Sequence, residues 1–156
     1  MIPSRTGYEL PFLLLGAFRR MIDELHRELA NAGHPDLRPV HAVAMQTIAD
    51  SGSQVNEMAA SVGVSKQAMA KTVAKLEELG YVRRTVNRAD RRARVVSLTE
   101  RGTNALACSG EILVSLAQAY ADSVGEADLL TTTDVLRKVR GDAPAFEQLI
   151  RWFGDD

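Results

Sequence analysis

Lys66, Gln67 and Lys71 lie close together in a short polar stretch. Shortly downstream Arg83, Arg84, Arg88, Arg91, Arg92 and Arg94 crowd twelve residues whose only acid is Asp90. Ammonium and guanidinium groups bind phosphate, and a glutamine amide can pair bidentately with an adenine edge. Between residues 65 and 94, nine Lys and Arg face three acids for a net of +6, whereas the other 126 residues sum to −7. The whole-chain charge of −1 hides this asymmetry. Cations packed that densely repel one another unless an anionic partner offsets them, and a nucleic-acid duplex is such a partner. Taken alone, the lysines read equally well as a solvated helix face with a capping serine, so the elements that carry them decide the matter.

Those elements follow from apolar spacing. Over residues 10–30, Leu14, Phe18, Met21, Ile22, Leu25 and Leu29 recur on one helical face. Phe12 to Leu15 are apolar all round, which points to contact beyond the subunit or to a deep core within it. Pro39 opens a second helix, with Val43, Ala44 and Ile48 inward. A third, 56–62, buries Met58, Ala59 and Val62; Gly63 turns the chain, and Ser65 caps a fourth helix reaching residue 79 with Met69, Val73 and Leu76 inward. A small residue four positions before the turn glycine lets two helices cross closely, the helix-turn-helix arrangement. Stretches 81–86 and 95–98 alternate as strands around the polar turn 87–94. Thr99 is placed to cap a long helix to about residue 122, with Glu100 in its first turn; residues 126–140 form another, and an amphipathic piece with Phe146, Leu149, Ile150, Trp152 and Phe153 follows. The expected fold is mainly α with a small β-hairpin wing: one chain, 1–156, with a winged helix-turn-helix over 37–99 and helices on either side.

In that frame the chemistry becomes specific. The N-terminal half of the fourth helix enters a major groove and offers Lys66, Gln67, Ala70, Lys71 and Ala74. Gln67 faces adenine, the lysines reach guanine or phosphate, and the alanines allow close approach or touch a thymine methyl. Ser65 spends its hydroxyl on the helix end or on a phosphate. Hairpin arginines suit a narrow minor groove, and Asp90 accepts turn hydrogen bonds and steadies a neighbouring guanidinium.

Four stretches carry a resemblance: Asn56-Glu57-Met58-Ala59, Val64-Ser65-Lys66-Gln67-Ala68, Leu76-Glu77-Glu78-Leu79-Gly80-Tyr81-Val82, and Asp90-Arg91-Arg92 followed by Val96-Ser97-Leu98-Thr99-Glu100-Arg101-Gly102. Together they resemble the MarR family of regulators. The resemblance implies a homodimer joined through helices 8–32 and 100–156, with two winged helices on adjacent major grooves of a pseudo-palindrome in double-stranded DNA. It further implies that Arg92 is the minor-groove finger, with Asp90 orienting it. It also implies a small aromatic or anionic effector in a cleft between the flanking helices and the winged region, where position selects His41 and Met45.

Other classes fit less well. With 46% hydrophobic residues the chain can build a core. The apolar run 11–18 is followed by Arg19 and Arg20, the reverse of a signal peptide, and is too short to span a bilayer. A single cysteine, Cys108, forms no intrachain disulfide; among apolar neighbours it reads as an inert buried thiol, and the expected location is the cytoplasm. His26, His34 and His41 are too loosely spaced for a metal, no cofactor motif is present, and no phosphate loop, nucleophile elbow or Cys-x-x-Cys points to an enzyme. The rival reading is a winged-helix protein-interaction module without specific DNA binding, and a third is architectural, non-specific DNA binding. Between these, the Arg92→Ala variant is expected to fold and dimerise normally while losing about 1–3 kcal/mol of specific binding, and Gln67→Ala to relax base preference. Wild-type operator titrations from both variants would refute the groove assignments.

Overall fold

The structure, a computed structural model, describes residues 4–86 and 94–141. Its elements in chain order are α1 (Ser4–Asn31), α2 (Pro39–Gln46), α3 (Val55–Ser61), α4 (Lys66–Glu78), β1 (Val82–Val86), β2 (Arg94–Leu98), α5 (Glu100–Val124) and α6 (Glu126–Arg140). The expected final amphipathic piece and the turn residues 87–93 lie outside the described residues.

Local signals set most boundaries. Ser65, in extended backbone, accepts the Ala68 N–H on its hydroxyl at 3.1 Å and starts α4. Glu57 reaches back to the Gln54 N–H at 2.8 Å and starts α3. Between α3 and α4, Gly63 adopts φ +69°, a left-handed turn that a side chain would resist, and the Val64 N–H donates to the Ala59 carbonyl. Helix α1 differs from expectation: it begins at Ser4, nearly two turns before residue 10, and runs through Pro11. A proline has no N–H, so the Gly7 carbonyl loses one helical donor there.

Strands β1 and β2 pair antiparallel with Val82 opposite Leu98, Arg84 opposite Val96 and Val86 opposite Arg94. The other edge of β2 is closed by a single residue. Ser53 and Val96 exchange both backbone hydrogen bonds, at 2.9 and 2.8 Å. One bridging residue leaves no alternation to read, so the sequence does not announce it.

The core lies where the C-terminal end of α1 meets α2 to α5. Leu25 and Leu29 of α1 join Val43, Met45, Met58, Met69, Val73, Leu76, Tyr81 and Val96 there. The rest of α1 stays outside it: Phe12 is 75% and Leu13 66% exposed. Helix α6 buries no residue, and Leu130, Val135 and Val139 are open on its surface. Among the described residues, no helix is long and apolar enough to cross a membrane.

The winged region is fastened to α5 at Tyr81 and Thr99. The Thr99 N–H donates to the Tyr81 carbonyl at 3.0 Å, its hydroxyl reaches the Gly80 and Tyr81 carbonyls at 2.6 and 3.1 Å, and the same oxygen accepts the Gly102 N–H. The buried Tyr81 hydroxyl lies 3.2 Å from His34 Nδ1 and accepts from Arg101, whose guanidinium sits 4.7 Å above the ring. Asn104 Oδ1 accepts from His34 Nε2 at 3.0 Å, so Nδ1 is the acceptor for tyrosine. A Cβ on Gly102 would fall 2.1 Å from the Tyr81 carbonyl oxygen, an overlap only backbone movement relieves. Gly102→Ala is accordingly expected to cost about 1–3 kcal/mol or more in a denaturant titration, and an unchanged midpoint would contradict this account of the junction.

Candidate nucleic-acid interface

Helix α4 and the two hairpin strands carry the described cationic residues Lys66, Lys71, Lys75, Arg83, Arg84 and Arg94. Helix α4 packs on α3, α2 and β1, burying Met69, Val73 and Leu76 and turning the opposite face outward. On that outward face Lys66, Gln67 and Lys71 are exposed at the N-terminal half, as a groove-entering helix requires, and Ala74 is exposed just beyond it. Ser65 is exposed too, but its hydroxyl is already spent on the cap. Lys75, one turn on from Lys71, is paired with Glu78 at 2.9 Å.

Ala70 and Arg84 sit differently from the rest. Ala70 is only half-exposed, because the Arg84 guanidinium lies over it and points at its carbonyl from 3.5 Å. Arg84 is also half-buried and holds the Glu77 carboxylate at 3.6 Å. Arg83 and Arg94 are exposed on the hairpin strands, and Arg94 lies opposite Val86. Arg88, Asp90, Arg91 and Arg92 lie outside the described residues. Glu77 is the partner that sequence reasoning missed. Strand alternation was the available signal, since Arg84 is two residues from the buried Val82 and must share its face.

Beside α4 runs a cleft of about 1120 Å³ between the start of α2 and the recognition face. Arg38, His41, Gln67, Lys71 and Lys75 are on its walls, with Asp36 as an acid at its edge. His41 is also structural, since its Nδ1 accepts the Arg38 N–H at 3.2 Å and caps α2 from the third helical position. Met45 is fully buried in the core and lines no wall of this cleft, so it is placed for packing. Cys108 is half-buried against the same core. Among the described residues no three His, Cys, Asp or Glu stand together as a metal-binding group.

Burial pushes the His41 imidazole below the ordinary histidine range; a hydrogen bond with the Asp36 backbone opposes this, and the positive charge of Arg38 adds to it. His26 is lowered as well, chiefly by burial. A lowered folded-state value means that folding favours the neutral ring. The associated stability is present above the unfolded value, about 6.5, and is lost as the pH falls through the folded value. Denaturation midpoints are therefore expected to drop on acidification from about pH 6.5, less steeply in His41→Asn than in the wild type. Identical acid slopes in the two proteins would show that His41 carries none of the effect.

The MarR family profile matches residues 36–93, from the approach to α2 through the hairpin turn. No curated protein sequence matches the chain at a significant level. In fold, the chain is similar to the YusO protein from Bacillus subtilis, with a TM-score of 0.70, 19% identity, and coverage of 92% of this chain and all of that one. It is also similar to CouR from Rhodococcus jostii RHA1 bound to p-coumaroyl-CoA, with a TM-score of 0.63, 19% identity, and coverage of 92% and 99%. A structure of the transcriptional repressor CouR on a 23-mer DNA duplex aligns with a TM-score of 0.67, 20% identity, and coverage of 90% and 99%. Over residues 36–93, from α2 through the first hairpin strand, the sequence is thus similar to the MarR family, and the whole chain is similar in fold to these solved structures.

Proposed function

We propose that the chain is a sequence-specific DNA-binding repressor that acts in the cytoplasm as a homodimer on a pseudo-palindromic operator. The reading is carried by one observation: the exposed Lys66, Gln67 and Lys71 face at the start of α4, set beside an arginine-rich hairpin. A face offering cations for phosphates and an amide for a base edge has the two kinds of group that sequence-specific binding needs. An interaction module without DNA would have no use for that combination. Residues 37–99 form the DNA-binding region, and the helices of 8–32 and 100–156 the dimer. Support for the dimer comes from Phe12, Leu13, Val114, Leu130 and Val139, apolar side chains on α1, α5 and α6 that a single chain leaves in water. A dimer blocks transcription by covering a promoter, which needs no contact to polymerase.

An effector that releases the DNA completes the proposal. The CouR structures hold a duplex in one case and p-coumaroyl-CoA in another, which supports both kinds of partner for this fold. Here the cleft beside α4, with Arg38, Lys71 and Lys75 on its walls, suits a small molecule with an apolar body and an acidic group. Fluorescence anisotropy against the duplex upstream of the chain's own gene and a shuffled duplex is expected to show a preference of roughly 10³-fold or more that survives added salt. Equal, weak binding that salt abolishes would remove sequence specificity. Adding aromatic carboxylates should dissociate the complex; anisotropy indifferent to all of them would remove the effector.

A further inference from the structure

Arg84 counts as one of six hairpin arginines in composition, but the strand register puts it on the opposite face from Arg83, and its partial burial sets it apart from the exposed Arg94. Opposite residues in an antiparallel pair project to the same face, and Arg84 is opposite Val96, which is fully buried. Its side chain therefore leaves the hairpin on the core side, toward α4, whereas Arg83, opposite Ser97, leaves on the solvent side. The backbone agrees. Val96 gives both its hydrogen bonds to Ser53, so the Arg84 N–H points away from β2, and it donates to Glu77 Oε1 at 3.2 Å. The side chain then returns to the same carboxylate: Arg84 Nε is shielded from solvent, lies 3.6 Å from Glu77 Oε2, and has no hydrogen-bond acceptor of its own. The end of the guanidinium reaches the Ala70 carbonyl. Ala70 and Glu77 are seven residues apart, two turns along one face of α4, so Arg84 lies lengthwise on the recognition helix. A methyl group at position 70 leaves room for it.

We propose that Arg84 is a positioning residue that ties the hairpin to the recognition helix through Glu77 and the Ala70 carbonyl, and that it makes no phosphate contact itself. Its function would be to fix the angle between the element entering the major groove and the strands that carry Arg83 and Arg94. The tie is a property of the free protein, and its consequence for DNA rests on the function proposed above.

Two measurements separate the two. In the free protein, NMR is expected to show an Arg84 Nε–H that exchanges slowly with solvent, and faster exchange in Glu77→Gln, an isosteric change that removes the charge. A wild-type Nε–H exchanging as fast as that of Arg83 would overturn the tie whether or not the protein binds DNA. With operator duplex, Arg84→Ala is expected to bind roughly tenfold more weakly, the worth of one charge-assisted contact, and to keep the wild-type slope of log K against log salt. In the Glu77→Gln background the same change should cost much less. A slope reduced by about 0.9 per protomer would mean that Arg84 neutralises a phosphate, and would overturn the proposal. Failure of the wild type to bind any duplex, with Arg84 Nε–H still protected, would leave the tie standing and remove the DNA reading.

Discussion

The Tyr81 carbonyl is the acceptor on which the other parts of the described structure converge. It ends the recognition unit, receives the first N–H of the turn into α5, and lies so close to Gly102 that no side chain fits between them. On the ring side, the Tyr81 hydroxyl links the α1–α2 loop through His34 and the first turn of α5 through Arg101. A buried polar group that is fully paired in this way specifies one arrangement, because any shift leaves a donor or acceptor unsatisfied in a low-dielectric site. Hydrophobic burial by Leu76, Val82 and Val96 around it supplies attraction without direction, and the hydrogen bonds supply the direction.

Wherever a residue's own backbone or its immediate neighbours decide the outcome, the sequence is legible. Ser65 and Thr99 read as caps because a hydroxyl before an amphipathic run has one inexpensive use, and both accept the expected N–H three residues on. Inward positions of α3 and α4 follow from helical spacing for the same reason. Long-range geometry is not legible. Place in the chain assigns Met45 to a ligand, and only the packing of α2 on α4 and α5 shows that it faces the core. Composition counts Arg84 with the free cations because it is blind to strand faces, and the register against Val96 is needed to turn it inward. The early start of α1 at Ser4 is hidden by Pro11, since a proline usually marks a first turn and this one lies inside the helix.

The charges of α4 and the hairpin strands fall into two sets, those left exposed and those held by a carboxylate. Lys66, Gln67 and Lys71 are exposed without a carboxylate partner among the ion pairs of the described structure, whereas Lys75 and Arg84 are paired with Glu78 and Glu77. The two acids thus sit at the C-terminal end of α4, and its N-terminal half stays cationic. A helix N-terminus already carries partial positive charge, so the lysines and the macrodipole add where phosphates would approach. The acids at the far end keep that field local. The net charge of the whole chain is therefore a poor guide to how this surface meets an anion.

Helix α5 leaves the Tyr81 junction as an uninterrupted rod of 25 residues, closed at its start by Thr99 and Gly102. At 1.5 Å per residue it is about 37 Å long, and a tilt of only about 5° at its base sweeps its far end through about 3 Å. That is nearly the rise of one base pair along a duplex. The absence of a side chain at residue 102 thus does more than admit a close contact. It seats the base of a long lever directly against a single carbonyl, so that a small change in the fit at this one contact would be multiplied along α5 into a displacement of about a base step at its far end.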